Sequence, residues 1–170
     1  MFVSRNLLIL LFSLIFQLSS FTLFAKDFSQ FDMMNANSPS ENIVTAGQPS
    51  INDLKQLAKQ GTKIVINLRT EHEFSEFDEK DVVEKLGMKY VSLPIAGMNG
   101  ITVDNAQRLH FVLSDKKPVF IHCASSNRVG GLLALREFKF NNKNIKESLQ
   151  LGKNAGMKST EKRVKSLIGL

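Results

Sequence analysis

The chain has 170 residues, a formal net charge of +6 and a single cysteine. This length suits one domain, and the positive charge is not concentrated enough to indicate nucleic-acid binding. A lone cysteine excludes an internal disulfide. The three histidines (His72, His110 and His122) lie far apart and belong to no cysteine or histidine cluster with metal-ligand spacing, so we predict neither a metal nor an organic cofactor.

The first 25 residues have the layout of a secretory signal peptide. Arg5 gives a short positive region, residues 7–16 are nearly all apolar, and Ala25 ends a more polar stretch. Polar residues from Gln17 onward interrupt the apolar run well short of the roughly 20 residues that a membrane-spanning helix needs. We therefore predict cleavage and export to the periplasm or the medium. An uncleaved anchor is the alternative, and only then would a membrane be a partner.

Residues 26–41 are polar and rich in turn formers, and we predict a leader there, followed by one domain at 42–170. In the domain, short apolar runs alternate with amphipathic segments that begin at N-cap residues. Ser50 and Asp53 form a capping-box pattern, and Thr102 is a further N-cap. The predicted strands are Ile43–Ala46, Ile64–Leu68, Met88–Ile95 and Val119–His122. The predicted helices are Ile51–Gln60, Phe77–Leu86, Val103–Asp115, Val129–Phe140, Ile145–Leu151 and Ser159–Ile168.

Alternating strands and helices predict an α/β fold: a small, mainly parallel sheet of about four strands with helices on both faces. Ligands of such sheets bind at the carboxyl ends of the strands. The loops after the second, third and fourth strands, at 69–75, 96–101 and 123–128, open on this edge. We expect these three polar loops to converge.

The segment HCASSNR carries the most chemistry in the chain, because Cys123 directly follows a buried strand and Arg128 stands where a helix begins. A tight turn between them directs backbone N–H groups into one concavity, and the helix N-terminus adds partial positive charge. A thiol in such a field ionises more readily, and a guanidinium matches two oxygens of one anion. The pattern favours a nucleophile beside an oxyanion site over a merely buried thiol. His122 either orients the loop, influences the thiol, or simply ends a buried strand.

HCASSNR resembles the signature loop of the dual-specificity and tyrosine phosphatase superfamily. The ordered motifs TAGQPS, IVINLR, YVSLPIAG and HCASSNRVG, spanning Ile43 to Phe138, resemble more closely the bacterial phosphatase-like family related to the N-terminal domain of beta-lactamase hydrolase-like proteins. The resemblance implies a cysteine-phosphatase-like fold that binds a phosphorylated substrate or another small oxyanion. It also implies Cys123 as phosphoryl acceptor, Arg128 as phosphate clamp, and the backbone of Ala124, Ser125, Ser126 and Asn127 as phosphate cradle.

Several positions depart from the superfamily pattern. Four residues, not five, separate Cys123 from Arg128, which also resembles some rhodanese-like sulfurtransferase loops. The loop glycine is absent, and we expect Asn127 to tolerate the left-handed conformation in its place. Val129 stands where Ser or Thr is usual. Three functions therefore remain open: a weak phosphatase, a sulfurtransferase with a persulfide on Cys123, or a non-catalytic oxyanion-binding module.

The usual general acid is missing near Ala96 and Gly97. Asp104 is a tentative replacement, although an Asp in the first turn of a helix commonly serves only as a cap. Glu71 and Glu73 are further candidates, with a solvated acidic loop as the alternative. Arg69 either extends the anion site or pairs with these glutamates.

Lysines and arginines gather toward the C-terminus, over residues 143–165. This pattern predicts a solvated helix face. A binding patch for anions is the alternative.

Overall fold

The computed structural model describes residues 28–73 and 76–170, and the predicted signal peptide at 1–25 lies outside the described residues. Five strands form one sheet in the order β1-β2-β5-β3-β4. Three of the four pairings are parallel, and only β1 runs antiparallel to its neighbour β2. The strands are β1 Asn37–Ser40, β2 Ile43–Ala46, β3 Ile64–Asn67, β4 Lys89–Ser92 and β5 Val119–His122.

Six helices connect and cover the strands, and the starts of α1 and α3 follow the predicted caps. Ser50 and Asp53 form the expected reciprocal capping box, and the hydroxyl of Thr102 accepts a hydrogen bond from the N–H of Asn105. The helices are α1 Ile51–Lys59, α2 Glu79–Lys85, α3 Val103–Val112, α4 Asn127–Phe140, α5 Ile145–Asn154 and α6 Glu161–Ile168. None of the helices in the described ranges is long and apolar enough to cross a membrane.

The sheet is covered on both faces, which confirms the predicted fold class. One apolar cluster joins Ile66 and Ile121 of the sheet to residues of α3, α4 and α6, such as Leu132. The other joins Val65 and Phe120 to residues of α1 and α2. Because both faces are buried, β3 and β5 are apolar along nearly their whole length, as expected for central parallel strands.

The segment predicted as a leader contributes to the fold. Strand β1 lies within 26–41 and forms an edge of the sheet, and Met33 is buried in the α1–α2 cluster. The prediction missed β1 because its sequence, NSPS, is polar and contains Pro39. Proline is tolerated in a strand at a sheet edge, where its missing N–H is not required.

Other element boundaries differ from the prediction by a few residues. Strand β4 ends at Ser92, although Leu93 and Ile95 remain buried. Their N–H groups donate to carbonyls of Asn67 and Leu68, so the chain stays attached to the end of β3 without continuing the ladder. Helix α4 begins at Asn127, two residues earlier than predicted, whereas α6 begins two residues later, at Glu161.

The register places the carboxyl ends of the four parallel strands level with one another. His122 of β5 lies between Ala46 of β2 and Asn67 of β3, and Asn67 pairs with Ser92 of β4. The loops that follow these strands therefore start from one edge, with the β5 loop near the middle. The predicted convergence is confirmed.

Candidate active site

Cys123 lies at the centre of this edge, immediately after β5, and is 1% exposed. Side chains alternate along the strand, so Ile121 and Cys123 join the cluster under α3 to α6. Phe120 lies on the other face, where the His122 ring stacks on it at a centroid distance of 5.3 Å. The thiol and the imidazole therefore point to opposite faces of the sheet.

The loop after Cys123 is held by hydrogen bonds to two neighbouring segments. The carbonyl of Ala124 accepts a hydrogen bond from the N–H of Gln48 at 3.2 Å. The carbonyl of Ser125 accepts one from the side-chain amide of Asn35 at 3.0 Å. Gly47 and Ser125 also form an isolated antiparallel bridge, so the chain after β2 runs alongside the loop and fixes its path.

Helix α4 begins at the end of this loop, at Asn127. The first N–H groups of a helix have no acceptor within it, and here they belong to Asn127, Arg128 and Val129. The first turn of α4 contains no acidic residue, and the N-cap residue makes no side-chain capping bond. The N-terminus of α4 is thus left available for an anion.

Ser126, not Asn127, adopts the left-handed conformation that the turn requires, with φ of 67°. Its hydroxyl donates to the carbonyl of Ala155 at 2.8 Å, which fixes the strained residue from the side. The adjacent Gly156 has φ of 93°, and a Cβ there would lie 2.6 Å from the Ser126 Cβ. The expectation for Asn127 is therefore wrong, because the α5–α6 connection holds Ser126 in place and Asn127 begins the helix.

Arg128 is held in place by several acceptors around its guanidinium. Its Nη1 donates to Oε1 of Glu73 and to the carbonyl of Ile95, each at 2.7 Å, and its Nη2 donates to Oε2 of Glu73. Glu73 also accepts from the N–H and hydroxyl of Thr70, at 2.8 and 2.9 Å. The hydrogen bond to Glu73 raises the pKa of Arg128 above its usual value.

The charge state of Glu73 determines whether this residue can donate a proton. The hydrogen bonds from Arg128, supported by Thr70, lower the pKa of Glu73 to about 2. Its carboxyl is therefore ionised at every pH near neutrality and holds no proton to donate. Glu73 fits a positioning role for Arg128 better than the role of general acid.

A buried ionic cluster braces the loop from the other face of the sheet. Glu79, in the first turn of α2, lies 2.6 Å from Nη2 of Arg69 and 2.7 Å from Nε2 of His122. The side-chain amide of Gln48 donates to the same carboxylate at 3.3 Å, and the backbone N–H of Gln48 holds Ala124. The cluster thus connects α2, β5 and the cradle, and it assigns Arg69 to Glu79 instead of to Glu71 or Glu73.

The Glu79 carboxyl is ionised in this setting. Burial alone would raise its pKa, but the hydrogen bond and charge of His122, with Arg69, hold the pKa below its usual value of 4.5. Nε2 of His122 lies 2.7 Å from Oε1 of Glu79, and an N–H on Nε2 donates to this carboxylate.

Replacing Glu79 by Gln is expected to lower the free energy of unfolding by about 3 kcal/mol at pH 7, because it leaves a buried arginine without its counterion. In the wild-type chain, the contribution of ionised Glu79 to the free energy of unfolding is present above pH 4.5. It is lost as the pH falls through the lowered pKa of the Glu79 carboxyl. The difference from wild type should therefore shrink in acid. Urea unfolding at several pH values measures this difference in the free energy of unfolding.

The control is the substitution E84Q, at an exposed glutamate of the same helix. Equal stabilities of the two variants would refute this role of Glu79.

Two predicted acids lie away from this site. A cavity of about 350 Å³ opens beside Arg128, and Asp104 and Glu71 are exposed and outside the set of described residues that line it. Asp104 occupies the first turn of α3, which suits a residue that favours the positive helix end. The cavity is lined by Glu73, Gly97, Met98, Ser125, Asn127, Arg128, Ser159 and Thr160.

The connection between α5 and α6 forms one wall of the cavity, which the sequence did not predict. Asn127 holds it: its Oδ1 accepts from the N–H of Lys158 at 2.7 Å, and its Nδ2 donates to the hydroxyl of Ser159 at 2.7 Å. The Thr160 hydroxyl donates to the Asn127 carbonyl at 2.9 Å. No sequence signal identifies these contacts, since they join residues about 30 positions apart.

The assembled geometry suits a compact tetrahedral anion. The N-terminus of α4 can interact with its oxygens, and Arg128 lines the cavity where it would bind. Among the described residues, no group of three or more His, Cys, Asp or Glu side chains could hold a metal ion. Cys123 is buried at the other end of the same loop and is not among the described residues that line the cavity.

Comparison with known proteins gives one family and one curated relative. The family described as "DSP-PTPase phosphatase fused to NAD+ Kinase" matches residues 17–166. A beta-lactamase hydrolase-like protein of Agrobacterium fabrum is 32% identical over 108 residues, or 61% of this chain. The match spans only 25% of that longer protein.

Solved structures share the fold at low sequence identity. A protein of Neisseria meningitidis described as a phosphatase has a TM-score of 0.67 and 18% identity, covering 79% of this chain and 99% of that one. A DUF442 protein of Shewanella putrefaciens, also described as a phosphatase, has a TM-score of 0.64 and 19% identity, covering 80% and 87%. TpbA of P. aeruginosa, solved with phosphotyrosine, has a TM-score of 0.56 and 14% identity, covering 80% and 83%.

Proposed function

This chain belongs to the family of DSP-PTPase phosphatases fused to NAD+ kinase, and from that membership we propose that it hydrolyses phosphate monoesters through a phosphocysteine intermediate on Cys123. The observation that carries the proposal is the placement of buried Cys123 and of Arg128 at the two ends of one short loop, at the carboxyl edge of the sheet. The fold alone is common to many phosphatases, whereas this loop carries both a candidate nucleophile and a candidate anion clamp.

Substrate binding uses the loop and Arg128 together. The phosphate oxygens accept hydrogen bonds from backbone N–H groups at the N-terminus of α4 and interact with the positive end of this helix. Arg128 contributes the guanidinium donors that Glu73 and Ile95 leave free. Because Glu73 and Ile95 already fix the guanidinium, little side-chain entropy is lost when the phosphate binds.

In the first chemical step, the thiolate of Cys123 attacks phosphorus, an S–P bond forms and the P–O bond to the leaving group breaks. The leaving oxygen departs with the electron pair and takes up a proton. In the second step, water attacks the phosphocysteine, the S–P bond breaks, and inorganic phosphate and the thiolate are released while the water proton passes to solvent. Positioned donors at the loop stabilise the charge on the transferring group in both steps.

The chain should strongly prefer substrates whose leaving group does not have to be protonated by a general acid. Asp104, the tentative general acid, is exposed and outside the cavity, and Glu73 is ionised. General acid catalysis contributes roughly 10²–10⁴-fold to rate. We expect aryl phosphates such as phosphotyrosine to be hydrolysed faster than alkyl phosphates by a factor in that range.

The proposal is tested by two assays on the purified chain: hydrolysis of aryl and alkyl phosphates, and transfer of sulfur from thiosulfate to cyanide. Aryl phosphate hydrolysis with little alkyl phosphate hydrolysis and no sulfur transfer is the expected result. Sulfur transfer alone would support the persulfide alternative and overturn the proposal. Phosphate binding without any turnover would leave the non-catalytic module as the function.

We further propose that the chain acts after export, in the periplasm or the medium. This proposal depends only on the signal-peptide pattern of residues 1–25. N-terminal sequencing of the chain recovered from the periplasm should begin at Lys26, and recovery of the full-length chain in the cytoplasm would contradict it.

A further inference from the structure

A lysine is fixed at the rim of the candidate active site. The backbone N–H of Lys158 donates to Asn127, and its Nζ lies 3.3 Å from the side-chain oxygen of Asn35. The amide of the same Asn35 holds the carbonyl of Ser125 in the cradle. Lys158 is therefore linked to the loop that would bind the phosphate at Asn127 directly and at Ser125 through Asn35.

A basic groove continues from the cavity at this rim. Ser159 lines both the cavity beside Arg128 and a second groove of about 600 Å³. This groove runs along α6 and is lined by Lys158, Ser159, Glu161, Lys162, Lys165, Ser166 and Leu170. A molecule bound in the cavity can extend directly into it.

Two of the cations in this groove have no anionic partner. Glu161 pairs with Lys165 at 2.9 Å and with Lys153 at 3.2 Å. Lys158 and Lys162 are exposed, and neither forms an ion pair within residues 28–73 and 76–170. In the cavity itself, by contrast, Glu73 already neutralises Arg128. The unmatched positive charge therefore lies just outside the phosphate site, where a second anionic group would reach it.

We propose that Lys158 and Lys162 form a subsite for a second anionic group of the substrate. The inference rests on the proposed function and specifies its substrate class. Preferred substrates carry, beside the phosphate that is removed, either a carboxylate, as in an acidic phosphopeptide, or another phosphate, as in a small bisphosphate. The anion-binding alternative for the basic C-terminal segment thus applies to this rim, while the rest of the segment is a solvated helix face.

The expected selectivity is modest and depends on salt. Exposed ion pairs are individually weak, so two lysines together should give about a fivefold preference. At 0.1 M ionic strength the screening length is about 10 Å, and the preference should fall as salt is added.

Binding to the Cys123→Ser chain measures this selectivity without turnover. The probes are two phosphotyrosine peptides, one with Asp and one with Asn on both sides of the phosphotyrosine, and a sugar bisphosphate beside its monophosphate. We expect about fivefold tighter binding of the Asp peptide than of the Asn peptide, or of the bisphosphate than of the monophosphate. The pair of probes that shows this preference identifies the source of the second anionic group. The K158Q/K162Q variant should reduce that ratio to near one.

A matched control is K143Q/K146Q, which removes two exposed lysines outside the groove and should keep the wild-type ratio. Equal binding of both members of each pair, or a preference that survives in K158Q/K162Q, would overturn the subsite. Hydrolysis of a simple aryl phosphate by the wild-type chain, scored separately, decides the proposed function on its own.

Discussion

Replacing Cys123 by Ser is expected to reduce kcat for aryl phosphate hydrolysis by on the order of 10⁴–10⁶-fold, as removal of a catalytic nucleophile commonly does. The serine hydroxyl stays protonated near neutral pH, and no base among the described residues contacts position 123 to activate it. Initial rates for wild type and variant, compared under identical conditions, measure the effect.

Phosphate binding provides the control for Cys123→Ser. The cradle consists of backbone N–H groups and Arg128, so inorganic phosphate should raise the melting temperature of variant and wild type by similar amounts. A variant that binds phosphate but keeps its activity within about tenfold of wild type would show that Cys123 is not the nucleophile.

Replacing Arg128 by Lys is expected to lower kcat/KM for aryl phosphates by about 10²–10³-fold, the usual effect of losing one positioned donor at a developing anion. Lysine keeps the charge but cannot contact both oxygens of Glu73, the carbonyl of Ile95 and a phosphate at once. Steady-state kinetics on both chains measure the loss.

The matched control is R108K, the same substitution at an exposed arginine of α3 that bonds only Asn105 among the described residues. It should keep kcat/KM within about twofold of wild type, because exposed polar contacts contribute little. Equal kinetics of R128K and R108K would mean that Arg128 does not bind the reacting phosphate.

The sequence was sufficient to place the reacting loop. Strands β3 and β5 each begin with three consecutive apolar residues, which marks them as buried and central, and the carboxyl ends of parallel strands meet at one edge. Cys123 therefore had to lie at that edge. Capping residues located the starts of α1 and α3, because a side chain such as that of Ser50 pairs with backbone only a few residues away.

Features that depend on distant contacts could not be predicted. Strand β1 contains no apolar signal and exists because β2 offers it a free edge. Ser126 adopts the left-handed conformation because Ala155 and Gly156, about 30 residues later, surround it. Neither partner is visible from the local sequence around HCASSNR.

The acidic residues illustrate the same limit. Glu73 and Glu79 lie in one acidic stretch that looks uniformly solvated, yet the first pairs with Arg128 and the second is buried against Arg69 and His122. Only the tertiary structure separates them from Glu71, which stays exposed. Charge patterning identified the stretch but not the partner of each carboxylate.

Mass spectrometry of the chain, acid-quenched during turnover of an aryl phosphate, would detect the proposed intermediate itself. We predict a phosphoryl group on the peptide that contains Cys123, absent before substrate is added and lost after substrate is consumed. The decisive samples are those quenched within the first catalytic cycle. Release of the aryl product without any phosphorylated Cys123 in these samples would contradict a phosphocysteine mechanism.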